Sequence, residues 1–133
     1  MMTTDMIRAV LEGICYHLRW LLECEMKKVK TSEVLRFVGG GALSSVTCQM
    51  LSDITGRTIE TINSTQEVGA IGTALVVAAG SHGVDVLELA RQLVKPYRVY
   101  VPDPANKEVY ERNYKVFKRL YKANASSFQT MNE

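Results

Sequence analysis

Arg36–Thr61, RFVGGGALSSVTCQMLSDITGRTIET, is the stretch whose reading decides the fold. Val34–Val38 is short, β-branched and aromatic, and reads as a strand that runs into Gly39, Gly40 and Gly41, where the missing Cβ atoms suit a tight loop. Beyond the glycines, Ser44 or Ser45 can cap a helix that passes through Gln49, Met50, Leu51 and Ile54. Gly56 stops it, as the residue type that most easily takes the left-handed conformation closing a helix. Thr58–Thr61 reads as a second short strand. Strand, helix and strand in about 28 residues make a βαβ unit, so the strands are expected to be parallel and the crossover right-handed. Val34–Val38 is expected inside the sheet.

Upstream, Thr3 and Thr4 offer capping oxygens, and Ile7, Val10, Leu11, Ile14, Leu18, Leu21 and Leu22 put an apolar stripe on a long helix ending near Lys27–Lys30. Downstream, Glu67–Gly80 reads as a helix. Its small residues Gly69, Ala70, Gly72, Thr73 and Ala74 imply close approach of a backbone or a ligand, and Val68, Ile71, Leu75 and Val76 are assigned to the core. Val84–Val94 is a short helix closed before Lys95-Pro96, and Tyr97–Val101 alternates like an extended edge segment that Pro102 stops. Asp103-Pro104 opens the last helix with a cap followed by proline. Its inward stripe is Val109 or Tyr110, Tyr114, Phe117 and Tyr121, opposite Lys107, Arg112, Lys115, Lys118 and Lys122. From Ala123 the chain is polar and is expected to fray.

With 133 residues, 47% hydrophobic and 23% charged, the chain has the composition of one ordinary globular domain, which excludes disordered, collagenous and coiled-coil classes. A net charge of +2 gives no general attraction to nucleic acid or membranes. The longest apolar stretches, Val68–Gly80 and Ile7–Leu22, are broken by glycines or by Arg8, Glu12, His17 and Arg19, so no membrane span is expected. Met1–Arg8 lacks the pattern of a secretory signal. Cys15, Cys24 and Cys48 form no CxxC pair and are odd in number, which argues against a disulfide framework or a zinc site and for a reducing, cytoplasmic setting.

A glycine loop between a strand and a helix N-terminus lets the backbone approach a phosphate or a flat base, while the first helical N–H groups attract an anion. A nucleotide fits there; a tight turn alone also accounts for the glycines. The loop is neither a Walker A motif, since no Lys-Ser/Thr pair closes it, nor a G-x-G-x-x-G. His17 and His82 have no partner at catalytic or metal-ligand spacing, His82 falling in a Gly80–Gly83 turn, and Cys48 reads as a small buried hydrophobe.

Taken with TQEVGAIGTALVVAAG (Thr65–Gly80) and NYKVFKRLY (Asn113–Tyr121), the Arg36–Thr61 run resembles the C-terminal part of the FGGY carbohydrate kinases, closest to their xylulokinase branch. The resemblance implies an α/β fold: the later part of a ribonuclease H-like, actin and sugar-kinase ATPase domain, with short parallel strands flanked by helices. Residues 1–133 would be an incomplete portion of the nucleotide-binding domain, without the three antiparallel strands that open it. Gly39, Gly40 and Gly41 would approach the α-phosphate and adenosine of ATP, and Ser44 would open the helix beside the nucleotide. Gln49 and Asp53 match family positions on that helix, where support of the fold is favoured over contact with ligand. Leu43 and Thr47 stand where arginine and tryptophan are common, which leaves the sugar open.

By the same resemblance, Mg-ATP and a pentulose-like sugar are the substrates of the intact enzyme, and its aspartate base lies outside this chain. No catalytic and no metal-binding residue is therefore expected here, and the chain alone should be inactive. An uncovered strand edge and apolar face lead to an expected homo-oligomer. The alternative is a non-catalytic module that binds nucleotide or self-associates.

Overall fold

A computed structural model describes residues 2–132. Helix α1 (Thr3–Met26) is followed by strand β1 (Val34–Arg36), a 3-10 turn at Gly40–Leu43 and helix α2 (Ser45–Thr55). Strand β2 (Thr58–Ile62) leads through a second 3-10 turn, Thr65–Glu67, into α3 (Val68–His82) and α4 (Val86–Leu93). Strand β3 (Pro96–Tyr100), a 3-10 turn at Pro104–Asn106, α5 (Lys107–Ala123) and α6 (Ala125–Met131) complete the chain.

Local signals explain most of these boundaries. The Ser44 hydroxyl accepts the Thr47 N–H at 3.2 Å and starts α2, and Gly56, at φ 67° and ψ 20°, ends it with its N–H on the Ser52 carbonyl. Asp103 caps the turn before α5 by accepting the Ala105 N–H at 2.9 Å. At the start of α1, however, Met2 holds the cap position and Thr3 and Thr4 lie inside the first turn. There the Asp5 carboxylate accepts the Met2 N–H at 2.8 Å, at the end of the helix where negative charge is favoured.

The βαβ unit is present, with Val34 opposite Thr58 and Arg36 opposite Glu60 in parallel register. The sheet order is β1-β2-β3, and β3 runs antiparallel to β2, with Ile59 opposite Tyr100. β2 is thus the central strand, and β1 lies at the edge rather than inside the sheet. β1 is also shorter than Val34–Val38: the Phe37 N–H still reaches the Glu60 carbonyl at 2.8 Å, after which the Gly39 N–H turns to Thr65.

The core joins Cys15 and Tyr16 of α1, Met50, Leu51 and Ile54 of α2, Ile59 of β2, and Tyr110 and Tyr114 of α5. Tyr16 stacks on Tyr114 with centroids 6.0 Å apart and meets Phe117 at 5.6 Å. Of the two residues expected to face inward at the start of the α5 stripe, Tyr110 is buried and Val109 is outside.

Two expectations fail for tertiary reasons. The face of α3 assigned to the core is only partly covered: Val68 and Val76 are 38% and 63% exposed, Ile71 and Leu75 are half-buried, and Ala79 alone in the helix is buried. Helix α3 packs on α4 and the preceding 3-10 turn, and no other layer among the described residues lies over its apolar side. The segment expected to fray from Ala123 is instead helical over Ala125–Met131, with the Phe128 ring tilted against Tyr121 at 6.1 Å.

A polar cluster ties α1 to α5. Glu23 accepts bonds from the Tyr114 hydroxyl at 2.8 Å, from Arg19 Nε at 3.2 Å and from Lys118 Nζ at 3.4 Å. The Arg19 guanidinium sits 4.1 Å from the centre of the Tyr114 ring and donates to the Ile54 carbonyl at 2.9 Å. Burial by itself would raise the Glu23 carboxyl, but the bonds from Tyr114, Lys118 and Arg19 outweigh it and hold the group below its ordinary range. A carboxyl depressed in the folded state stabilises the fold above its unfolded pKa of about 4.3, and that contribution disappears as pH falls through the folded value. The stability difference between wild type and Glu23→Gln, measured by urea unfolding, is therefore expected to shrink from pH 7 to pH 3. A constant difference over that window would show that these bonds do not set the acid response.

Candidate functional site

The loops after β1 and β2 are fastened together. The Gly39 N–H is shared between the Thr65 carbonyl at 2.8 Å and the Thr65 hydroxyl at 3.0 Å, and the Thr65 side chain is buried. Gly39 has φ 93°, a conformation that side chains with a Cβ rarely adopt. At Gly41 an added Cβ would lie 3.0 Å from the Phe37 ring, so close packing accounts for that glycine. Gly40 is different. Its φ is outside the left-handed region, and a Cβ there would meet no atom of this chain within 4 Å. The fold itself does not require glycine at this position, which is exposed at the mouth of the loop.

Ser44 is half-buried and its hydroxyl is engaged in capping α2. Ser45 and Val46, the first two residues of α2, are exposed, and their N–H groups lie where a helix has no internal acceptors. Two clefts flank this end of the helix. One, of about 270 Å³, is lined by Ala42, Leu43, Thr61, Thr65, Glu67 and Arg98. The other, of about 370 Å³, is lined by Arg8, Ser45, Val46, Gln49, Asp53 and Asn106 among others.

Gln49 and Asp53 hold the connection from β3 to α5. Asp53 Oδ1 accepts the Asp103 N–H and Gln49 Nε2, both at 2.8 Å, and Oδ2 accepts Asn106 Nδ2 at 2.8 Å. Gln49 Nε2 also donates to the Val101 carbonyl at 2.8 Å. Both side chains therefore support the fold. Thr65 and Asn106, which the sequence reading did not single out, are anchors of the site, and no local pattern marks a loop threonine or asparagine as one.

The remaining candidates lie elsewhere or are engaged. His17 is exposed beside Trp20 and Phe117 in an apolar groove of about 550 Å³ and lines neither cleft. His82 is not in a turn but in the last turn of α3, with Nδ1 2.9 Å from the Ala78 carbonyl; Gly83 makes the reversal. Cys48 is fully buried, its thiol directed at the Ala42 carbonyl at 3.6 Å and pushed up by burial; burial also pushes Cys15 up to about 11. Such thiols react poorly. Among the described residues no group of His, Cys, Asp and Glu side chains is placed to hold a metal ion, and no helix is long and apolar enough to cross a membrane.

The parallel βαβ unit, the glycine loop and the capped helix behind it define a part of the ribonuclease H-like ATPase fold shared by actin and sugar kinases. Residues 2–81 match the C-terminal domain of the FGGY family of carbohydrate kinases, and the chain belongs to that family. A xylulose kinase of Lactococcus lactis is 36% identical over 120 residues, which cover 86% of this chain and 23% of the relative. The L-xylulose/3-keto-L-gulonate kinase of Escherichia coli is 31% identical over 120 residues, covering 89% of this chain and 24% of the enzyme. The crystal structure of a ligand-bound xylulose kinase from Lactobacillus acidophilus superimposes with a TM-score of 0.82 at 26% identity, over 96% of this chain and 26% of that one. The chain spans about a quarter of the length of these relatives.

Proposed function

We propose that this chain is the adenosine-binding C-terminal portion of an ATP-dependent carbohydrate kinase acting on a pentulose-like sugar. Residues 1–133 form an incomplete part of its nucleotide-binding domain. The observation that carries this reading is the open face at Gly40, where the fold itself has no use for glycine but a ligand approaching the backbone does. Gly39, Gly40 and Gly41 lie against the α-phosphate and adenosine, and Ser44 opens the helix beside them. The exposed N–H groups of Ser45 and Val46 offer donors at the positive end of α2. Mg²⁺ accompanies the phosphates of ATP in the intact enzyme. Three free cysteines suit a reducing cytoplasm.

In an NMR titration with ATP, Gly40→Val is expected to weaken binding at least about tenfold, since its branched side chain fills the space needed for backbone approach. Thr58→Val, at the start of β2, is expected to leave the affinity unchanged. Equal effects of the two variants would place the nucleotide elsewhere.

A specific observation also favours self-association. The outer edge of β1 is unpaired among the described residues, and on α1 the apolar residues Ile7, Val10 and Ile14 are 58%, 64% and 52% exposed. Unpaired edges and apolar patches of this kind favour pairing with another chain. Light scattering is expected to show a dimer whose fraction rises with concentration and falls in Ile14→Lys. A stable monomer at high micromolar concentration would remove this reading.

A further inference from the structure

We infer that the outward face of α5, with the end of the molecule that it leads to, is a docking surface for an anionic lipid bilayer. The net charge of +2 conceals an uneven spread: Arg112–Asn132 holds five Lys and Arg and no Asp or Glu, so the rest of the chain is negative overall. Arg112, Lys115, Arg119 and Lys122 recur at intervals of three and four, which places them in one line along the helix, and all four are exposed. Among the described residues the ion pairs of α5 are Glu111 with Arg19 at 2.7 Å and Lys118 with Glu23 at 3.4 Å, so this line has no counter-charge. Glu108, the other carboxylate of the helix, lies in its first turn.

Cations alone would suit any polyanion. Beside their line, however, run Val109, Val116 and Leu120, all exposed. The apolar surface continues onto α6, where Phe128 lines the groove of about 550 Å³ together with Leu120, and where Phe128 and Met131 are exposed. Cys24 lines the same groove, and Lys27, Lys28 and Lys30 follow it closely at the exposed end of α1, with Glu25 the carboxylate among them. None of these residues lines either cleft at the start of α2, so the surface stands apart from the candidate nucleotide site.

A bilayer containing phosphatidylglycerol meets both halves of this surface. Its phosphates supply counter-charges to the cations, and its headgroup region takes aliphatic and aromatic side chains out of water. The long Lys and Arg side chains can reach the phosphates while the neighbouring Val116 and Leu120 enter the apolar boundary. A polynucleotide backbone offers only the counter-charges. Cations and apolar groups are spread over the ends of three helices, which fits a broad planar partner better than a single acidic peptide.

The 133-residue chain is sedimented with vesicles of phosphatidylcholine alone and with vesicles that also carry about 30% phosphatidylglycerol. Binding to the anionic vesicles is expected to be at least about tenfold tighter, and to fall at least about tenfold between about 0.1 M and about 0.5 M salt. Lys115→Glu with Arg119→Glu is expected to lower it at least about tenfold, and Leu120→Gln at least about threefold. Arg91→Glu with Lys95→Glu makes the same charge change on and just after α4, and is expected to alter binding less than about twofold. Equal binding to the two vesicles, equal losses in the two double variants, or no loss in Leu120→Gln would overturn the assignment. Poly(U) or poly-glutamate bound as tightly as the anionic vesicles would also overturn it, by giving the cation line to a polyanion in solution. If Lys115→Glu with Arg119→Glu abolishes the dimer in light scattering, the face belongs to a second copy and the proposal fails.

Discussion

Supplied with Mg-ATP and D-xylulose, the purified chain is expected to form no sugar phosphate above the uncatalysed background, against the roughly 1–100 s⁻¹ usual for kinases. Phosphoryl transfer depends on holding the nucleotide, the sugar hydroxyl and a proton acceptor together while charge is stabilised around the transferred group. The groups of this chain do not converge in that way. Both oxygens of Asp53 are engaged, by Gln49 and the Asp103 N–H on one side and by Asn106 on the other. His17 lines an aromatic groove with Trp20 and Phe117. Glu67 borders one of the clefts, whereas Asp53 lines the other. Open clefts make only one wall of a nucleotide site, so the ATP dissociation constant is expected on the order of 1 mM or above, about 4 kcal/mol or less. A coupled ADP assay tests the activity. Turnover near kinase rates would overturn this and make Asp53, Glu67 and His17 the groups to test as bases.

Asp53→Ala is expected to cost about 3 kcal/mol or more, because hydrogen bonds to a charged group contribute about 1.5–3 kcal/mol each and unpaired buried donors add to the loss. Asp53 is only 9% exposed and receives the Gln49 amide, the Asp103 N–H and the Asn106 amide. These bonds anchor the turn that leads into α5, which carries Tyr110 and Tyr114 into the core. The loss is a large share of the roughly 5–15 kcal/mol that holds ordinary domains folded. Asp53→Asn preserves the shape and one acceptor, and is expected to cost less than half as much. Urea unfolding of both variants provides the comparison. An alanine variant within about 1 kcal/mol of wild type would show that the turn is held by other contacts.

The βαβ unit, the glycine loop, a serine cap at Ser44 or Ser45, the Gly56 stop and the Asp103-Pro104 turn that leads into α5 were legible in the sequence. Each depends on residues a few positions apart, and the steric and hydrogen-bonding preferences of a short segment suffice to set them. The family resemblance adds the expected roles of Gly39, Gly40, Gly41 and Ser44, and the geometry separates these glycines by what each requires: a backbone angle at Gly39, contact with Phe37 at Gly41, and open space at Gly40. Tertiary structure alone decided that β1 is an edge strand, that β3 joins β2 antiparallel, and that the apolar side of α3 is left partly open. An apolar pattern states which face benefits from cover without naming what covers it. The same holds for the polar anchors: Thr65 meets Gly39 across 26 positions and Asn106 meets Asp53 across 53. Such pairs form only when packing brings distant segments together, because a hydrogen bond leaves no periodic trace in the chain that it closes.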